Sequence, residues 1–223
     1  MNVVTCRTTE DFVRTAVAIA GAAISEAIVS RGFAKIGLSG GSTPKPVYSM
    51  LATDQHIRWN HVSFFLVDER YVPPIHKESN TAMIQSTLLT REAAHCDLIR
   101  PRTELILPEC IRDYGEQIKK IHAPDLVILG MGDDGHIASL FPPIPPEAFG
   151  PDAVIHTTTD RFAIRDRISV TFPTLLRAQK RVFLITGDAK FKLLKKMQSD
   201  NEDVSMYPAQ YLFDERTTWV VGP

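Results

Sequence analysis

The sequence predicts an α/β fold built on a mostly parallel sheet that helices cover on both faces. Three observations carry this expectation. Four short runs rich in Val, Ile and Phe, at residues 36–38, 62–67, 126–129 and 182–185, are apolar throughout rather than at alternate positions, which is the pattern of strands buried on both faces. Helix-like segments separate these runs, and strands alternating with helices build parallel sheets through crossover connections. The chain has 223 residues, 44% hydrophobic and 23% charged, with no Pro/Gly/Ser-rich linker. One domain spanning 1–223 with a sizeable core is expected.

In chain order, the first element is a helix. Phe12, Val13, Ala16, Val17, Ala20, Ile24 and Ile28 recur near helical spacing, and Gly32 follows as a stop. Its centre, AVAIAGAAI at 16–24, has the apolarity of a signal-peptide core, but Glu10 and Asp11 stand where a basic segment belongs. The run is also too short to span a bilayer, so a buried core helix is expected and no membrane partner. The 36–38 strand leads into GLSGGSTPKP (37–46), where Thr43 reads as an N-cap and Pro44 as the first residue of a helix reaching Ala52. VSFFLV (62–67) precedes a helix at 81–89 capped by Asn80, and a helix at 110–121 precedes LVIL (126–129). The proline-dense stretch 142–151 cannot be regular structure and is a candidate lid. RISVTF (167–172) alternates as a strand, VFLI (182–185) leads to a helix at 189–197 opened by Asp188, and TTWVV (217–221) closes the sheet.

Composition removes several function classes. The 25 basic and 26 acidic residues give a formal net charge of -1, which is no footprint for nucleic acid or an anionic membrane. Cys6, Cys96 and Cys110 are widely spaced and odd in number, so neither a disulfide framework nor a zinc site is indicated. A reducing cytoplasm is the default. Metal is poorly supported, because there is no HExxH and His56 and His61 miss helical ligand spacing.

In an open parallel sheet, ligands bind outside the carboxyl ends of the strands. Four strands deliver unusual endings to that edge: SGGST (39–43), DERY (68–71), GMGDDGH (130–136) and TGDAK (186–190). In the first, Gly40 and Gly41 let backbone N–H groups converge while Ser39, Ser42 and Thr43 add hydroxyls, an arrangement suited to a phosphate at a helix N-terminus. The plain alternative is a tight turn that binds nothing. Neither serine lies in GxSxG or beside a marked base, so both read as anion donors rather than nucleophiles. His136 is the residue type suited to proton transfer near neutrality, with Asp133 and Asp134 available to orient it and glycines that expose N–H groups to an oxyanion. Asp68 is available to orient His136 or a water, Arg70 to fork onto a phosphate or carboxylate, and Glu69 to form an ion pair at the rim. Arg167 and Lys190 are further cations for this edge, while Lys192, Lys195 and Lys196 read as a solvated helix face.

Together SGGSTP (39–44), VDERYVP (67–73) with Ser79 and Asn80 downstream, GMGDDGHIASLFP (130–142), RISVT (167–171), TGDAK, YPAQ (207–210) and TTWVV resemble the ordered motifs of the 6-phosphogluconolactonase family over nearly the whole chain. The resemblance implies a Rossmann-like three-layer α/β/α architecture, shared with glucosamine-6-phosphate deaminase, ribose-5-phosphate isomerase and CoA transferases. It implies hydrolysis of 6-phospho-D-glucono-1,5-lactone to 6-phosphogluconate in the oxidative pentose phosphate pathway, with no metal or organic cofactor. The implied protein is a cytoplasmic monomer or small homo-oligomer acting on a small molecule. By the same resemblance His136 is the general base, Arg70 an active-site cation with Asp68 close by, and Ser39, Gly40, Gly41, Ser42, Thr43, Arg167 and Lys190 hold the phosphate. The chain departs from the family's proline-rich approach to the RISVT arginine: TDRFAIRDR (159–167) brings Arg161, Arg165 and Arg167 together, which leaves both Arg165 and Arg167 open for the clamp.

Two rival readings remain. An amino-sugar-phosphate isomerase or deaminase is similar in the glycine loop and in DGH, but that family continues DGHIAFNEP and its glutamate falls at Phe141 here. A non-catalytic sugar-phosphate sensor shares the fold, yet the segment before the first loop is taken up by one helix rather than a DNA-binding helix-turn-helix.

Overall fold

The computed structural model describes residues 1–199 and 205–223. The first half of the chain runs β1 (Asn2–Thr5), α1 (Thr9–Arg31), β2 (Ala34–Leu38), α2 (Lys45–Leu51), β3 (Val62–Leu66), β4 (Asp68–Arg70), α3 (Asn80–Thr87), β5 (Asp97–Ile99) and α4 (Leu107–Lys119). The second half runs β6 (Leu126–Leu129), β7 (Val154–Thr158), β8 (Asp166–Val170), α5 (Phe172–Leu176), β9 (Lys180–Thr186), α6 (Asp188–Ser199) and β10 (Thr217–Gly222). Seven strands form one parallel sheet in the order β1-β10-β9-β6-β2-β3-β5. The chain winds outward from β2 through β3 to β5, then returns to β6 and winds the other way. The switch point therefore lies between β2 and β6, which pair directly.

The all-apolar strands serve two cores. On β3, Phe64 and Leu66 enter one apolar cluster while Phe65 enters the other; Leu126 and Ile128 on β6 are likewise opposed to Val127 and Leu129. Residues of α1 and α2 fill the first cluster, and residues of α4, α5 and α6 fill the second. The result is three layers, and both faces of the sheet are dry. Each fully buried Leu, Ile or Phe contributes about 1.5–3 kcal/mol, so the two cores hold the loop-bearing edge rigidly.

α1 is capped as its sequence requires. The Thr8 side chain accepts from the Asp11 N–H at 3.1 Å, and Gly32, at φ 79, closes the helix by donating to the Ile28 carbonyl at 2.9 Å. By length and composition it could cross a membrane, yet half of its most apolar window is buried inside the fold.

Several elements differ from expectation. Pro44, not Thr43, takes the cap position of α2 and makes no side-chain capping bond; α3 begins at Asn80, with Ser79 as the cap accepting from the Ala82 N–H. α4 starts at Leu107, three residues early, because Pro108 sits comfortably in the first turn. The proline-dense stretch holds one short 3-10 turn, Pro146–Phe149. DERY is not simply a loop: β4 leaves the main sheet and pairs antiparallel with β8, which pairs with β7 in a second, three-stranded sheet.

Candidate active site

The loops after β2, β6 and β9 and the small sheet enclose a cleft of about 400 Å³ at the switch point. The ten residues to which the resemblance assigns catalysis or phosphate binding all line it: Ser39 to Thr43 from the glycine loop, Asp68 and Arg70 from β4, His136 from the loop after β6, Arg167 from β8 and Lys190 from α6. A parallel sheet delivers its strand ends to one edge, and this is why segments so distant in sequence converge.

The glycine loop is open because it is bare. Gly41 has φ 100, a left-handed conformation that suits glycine. A Cβ on Gly40 would lie 1.8 Å from Asn80 Oδ1, so Gly40 also allows the loop to close against α3. Ser39 Oγ is buried without a protein partner, and Thr43 Oγ1 approaches Thr186 Oγ1 at 3.5 Å, drawing the loop toward the end of β9.

His136 is fixed by Asp134. Its Nδ1 lies 2.6 Å from Asp134 Oδ1, and its backbone N–H donates to the same oxygen at 3.1 Å. Burial opposes the charge on Asp134, but the hydrogen bonds from His136 and the Arg161 guanidinium on Asp134 Oδ2 outweigh it and hold the carboxyl at about 2. An ionised carboxylate only accepts, so Nδ1 carries the proton, and in the neutral tautomer the lone pair is on Nε2. Phe141 and Phe162 flank the imidazole, with ring centroids at 4.7 and 6.0 Å. Gly132 is required beside this pair: a Cβ there would lie 2.0 Å from His136 Nδ1.

The structure narrows the expected role of Asp68 and corrects that of Glu69. Asp68 does not orient His136; its carboxylate accepts from Ser139 Oγ at 2.7 Å and Asn80 Nδ2 at 3.2 Å. Glu69 forms no ion pair at the rim. It is buried, and takes the Arg70 and Asn80 N–H groups on Oε1 and the Ser79 hydroxyl with the Thr81 N–H and hydroxyl on Oε2, at 2.7–3.0 Å. Burial pushes its carboxyl above the usual range, against the pull of those donors. Glu69 thus ties the start of α3 to the backbone of Arg70.

Arg70 and Arg167 stand directly opposite each other on β4 and β8. Burial, and next the Arg70 charge, pulls the Arg167 guanidinium below the usual arginine range. Arg70 is held by Nη1 donating to the Glu78 carbonyl at 2.5 Å, with Nε buried and unpartnered. Like charges in register disfavour a fold, and an anion between them removes the penalty. Placement separates the two later arginines: Arg167 is 5% exposed and lines the cleft, whereas Arg165 has a 66% exposed side chain paired with Asp160. Lys190, 3.9 Å from Asp133, adds a third cation.

Sequence reasoning missed Asn80, Phe141, Arg161 and Phe162 as cleft residues. The departure at 159–167 was the available signal for Arg161 and Phe162. Asn80 was read as a cap and as part of a family motif, and Phe141 as part of another motif and the place of a missing glutamate, neither with a role in the cleft. Among the described residues, no group of three or more His, Cys, Asp or Glu is placed to hold a metal ion.

The fold and cleft define a class: a parallel α/β protein that gathers cations, an open glycine loop and an aspartate-held histidine at its switch point. The chain belongs to the family described as glucosamine-6-phosphate isomerases/6-phosphogluconolactonase, which it matches over residues 7–220. It is 45% identical over 203 residues to a probable 6-phosphogluconolactonase of Dictyostelium discoideum, covering 87% of this chain and 86% of that protein. It is 36% identical over 199 residues to a 6-phosphogluconolactonase of Synechocystis, covering 85% and 81%. The solved structure of 6-phosphogluconolactonase from Plasmodium vivax superposes with a TM-score of 0.86 at 33% identity, over 99% of this chain and 90% of that one.

Proposed function

We propose that this protein hydrolyses 6-phospho-D-glucono-1,5-lactone to 6-phospho-D-gluconate in the oxidative pentose phosphate pathway. The carrying observation is the Asp134–His136 pair, at 2.6 Å, facing the same cleft as Arg70, Arg167 and Lys190. Relatives named for this activity over most of the chain support the reading.

His136 Nε2 accepts a proton from water as the water oxygen bonds to the lactone carbonyl carbon. Arg70 and the exposed amides of the glycine-rich loops stabilise the oxyanion. Collapse of the tetrahedral centre breaks the bond to the ring oxygen, and the imidazolium returns its proton to that oxygen. Ser39 to Thr43, Arg167 and Lys190 hold the phosphate and thereby position the carbonyl. Asp68, fixed by Ser139 and Asn80, stands at the same wall and helps order the attacking water.

An isomerase or deaminase is disfavoured by Phe141, whose buried ring packs on His136 where that chemistry uses a carboxylate. We further read 1–223 as one domain, supported by β1 and β10 pairing in one sheet from opposite ends of the chain. We place it in the cytoplasm as a monomer or small homo-oligomer without cofactor; its three free cysteines accord with a reducing compartment.

The test measures loss of freshly generated lactone by wild type and His136→Ala against spontaneous hydrolysis. Wild-type acceleration that vanishes in the variant, with phosphogluconate binding retained, is expected. Acceleration surviving in the variant would remove His136 as the base, and none in wild type would remove the lactonase reading.

A further inference from the structure

The loop between β7 and β8 reaches the histidine that the proposed reaction uses, although nothing in that reaction calls for it. Two of its side chains and one from the start of β8 take part. Arg161 Nη1 bonds Asp134 Oδ2, the oxygen that His136 leaves free; Phe162 meets the His136 ring edge-on; and the Arg167 guanidinium lies 5.3 Å from the Phe162 ring centroid. The loop is internally braced. Thr159 N–H donates to the Arg165 carbonyl at 3.1 Å, Arg161 N–H to Thr159 Oγ1 at 3.2 Å, and Arg167 Nε to the Ile164 carbonyl at 3.0 Å.

We propose that Arg161 is a positioning residue which acts on His136 through Asp134. This rests on the reading of His136 as the base. Asp134 joins the two, with its side chain 14% exposed, whereas that of Arg161 is 55% exposed. Two consequences follow. The guanidinium fixes the second carboxylate oxygen, so Asp134 cannot rotate away and the imidazole stays aimed into the cleft. Its positive charge also helps keep Asp134 ionised, so the carboxylate goes on accepting from His136 Nδ1.

The other charged groups facing the cleft do not take this role. Lys190 lies near Asp133, Arg70 is held by Glu78, Arg167 by Ile164, and Asp68 is occupied by Ser139 and Asn80. Among the described residues, Arg161 is the one cation bonded to the carboxylate that holds the histidine.

The test compares wild type, Arg161→Gln and Arg161→Lys. In lactone hydrolysis, Arg161→Gln is expected to lower kcat about tenfold with KM within about twofold. The acid limb of its pH–rate profile moves relative to wild type, because the positive charge beside the Asp134–His136 pair is gone. Arg161→Lys restores much of both. In the free protein, the low-field Nδ1 proton resonance of His136 is expected to shift and broaden in Arg161→Gln. A loss carried entirely by KM would make Arg161 a substrate-binding group and overturn the proposal. So would an unchanged pH profile with an unchanged resonance, or a lysine variant that behaves as glutamine does. If wild type does not accelerate hydrolysis, the lactonase reading fails separately, and the resonance alone decides whether Arg161 governs the Asp134–His136 pair.

Discussion

Replacing Gly132 by alanine inserts one methyl group at the point where the catalytic pair is tightest. Its Cβ would lie 2.0 Å from His136 Nδ1, 2.2 Å from Cε1 and 2.7 Å from Asp134 Oδ1, against a floor of 3.0 Å for real contacts. The backbone cannot easily retreat, because Gly132 N–H donates to the His136 carbonyl at 2.9 Å and its own carbonyl accepts from Gly135 at 3.1 Å. The imidazole must therefore move by about 1 Å, a displacement that by itself can cost about 10²-fold in rate. Loss of the base altogether costs about 10²–10⁴-fold. We expect kcat/KM in Gly132→Ala to fall within that span, measured as lactone loss above the spontaneous background. Phosphogluconate affinity should stay within about threefold, since the glycine loop, Arg167 and Lys190 are untouched. The fold should lose about 1–2 kcal/mol, typical of a small overpacking. A variant with wild-type kcat/KM would refute the claim that this hydrogen bond aims the base.

Three further outcomes follow from the charges. Arg167→Ala should raise KM for the lactone about 10–100-fold, as expected for losing a charge-assisted contact, while Arg165→Ala leaves it unchanged; equal effects in steady-state kinetics would show that the clamp is misassigned. Arg167→Met should also make the ligand-free protein as stable as wild type or more so in urea titration, because it removes one of two opposed like charges. Asp134 has its carboxyl at about 2 against an ordinary 3.8, so its stabilising contribution is complete above 3.8 and is lost as pH falls from there through about 2. The contribution is about 2 kcal/mol, so Asp134→Asn should be less stable than wild type near neutrality and the gap should narrow toward pH 2; a gap independent of pH would refute the assignment.

What the sequence made legible followed from how local each signal is. The glycine loop, the DGH turn and the four apolar strands carry their reason in consecutive residues, and all of them lie where the pattern put them. The edge strands β1 and β5 escaped notice because NVVT and DLI are too short to show a period. β7, VIHTT, alternates over only five residues just beyond the proline-dense stretch, and it was assigned to no element. Glu69 was misplaced at the rim because a charged residue is ordinarily exposed. Its burial depends on hydrogen-bond donors 10–12 residues ahead, at the start of α3, and no local pattern announces such an arrangement. Arg161 was harder still, since its partner Asp134 lies 27 residues away and the two meet only after β7 and β8 have formed a hairpin.

Several costly features of this chain gather at one edge. Ala138, two residues from His136, has φ 48, a left-handed conformation that disfavours side chains. Ser39 Oγ and Arg70 Nε are buried without partners, Arg70 and Arg167 face each other in like charge, and Glu69 is a carboxylate far from water. The two apolar cores behind the sheet offset these costs, which is how a marginally stable chain retains them. The same distribution separates the chemistries that this fold can host. A shared sheet and glycine loop explain phosphate capture in either branch of the family, so neither distinguishes hydrolysis from isomerisation. The distinction lies in what touches the imidazole. Here Asp134 takes Nδ1 and an apolar Phe141 face closes one side, leaving Nε2 as the one basic nitrogen for a water. Water attack on an activated ester needs one base and one oxyanion site, the roles proposed here for His136 and for Arg70 with the loop amides.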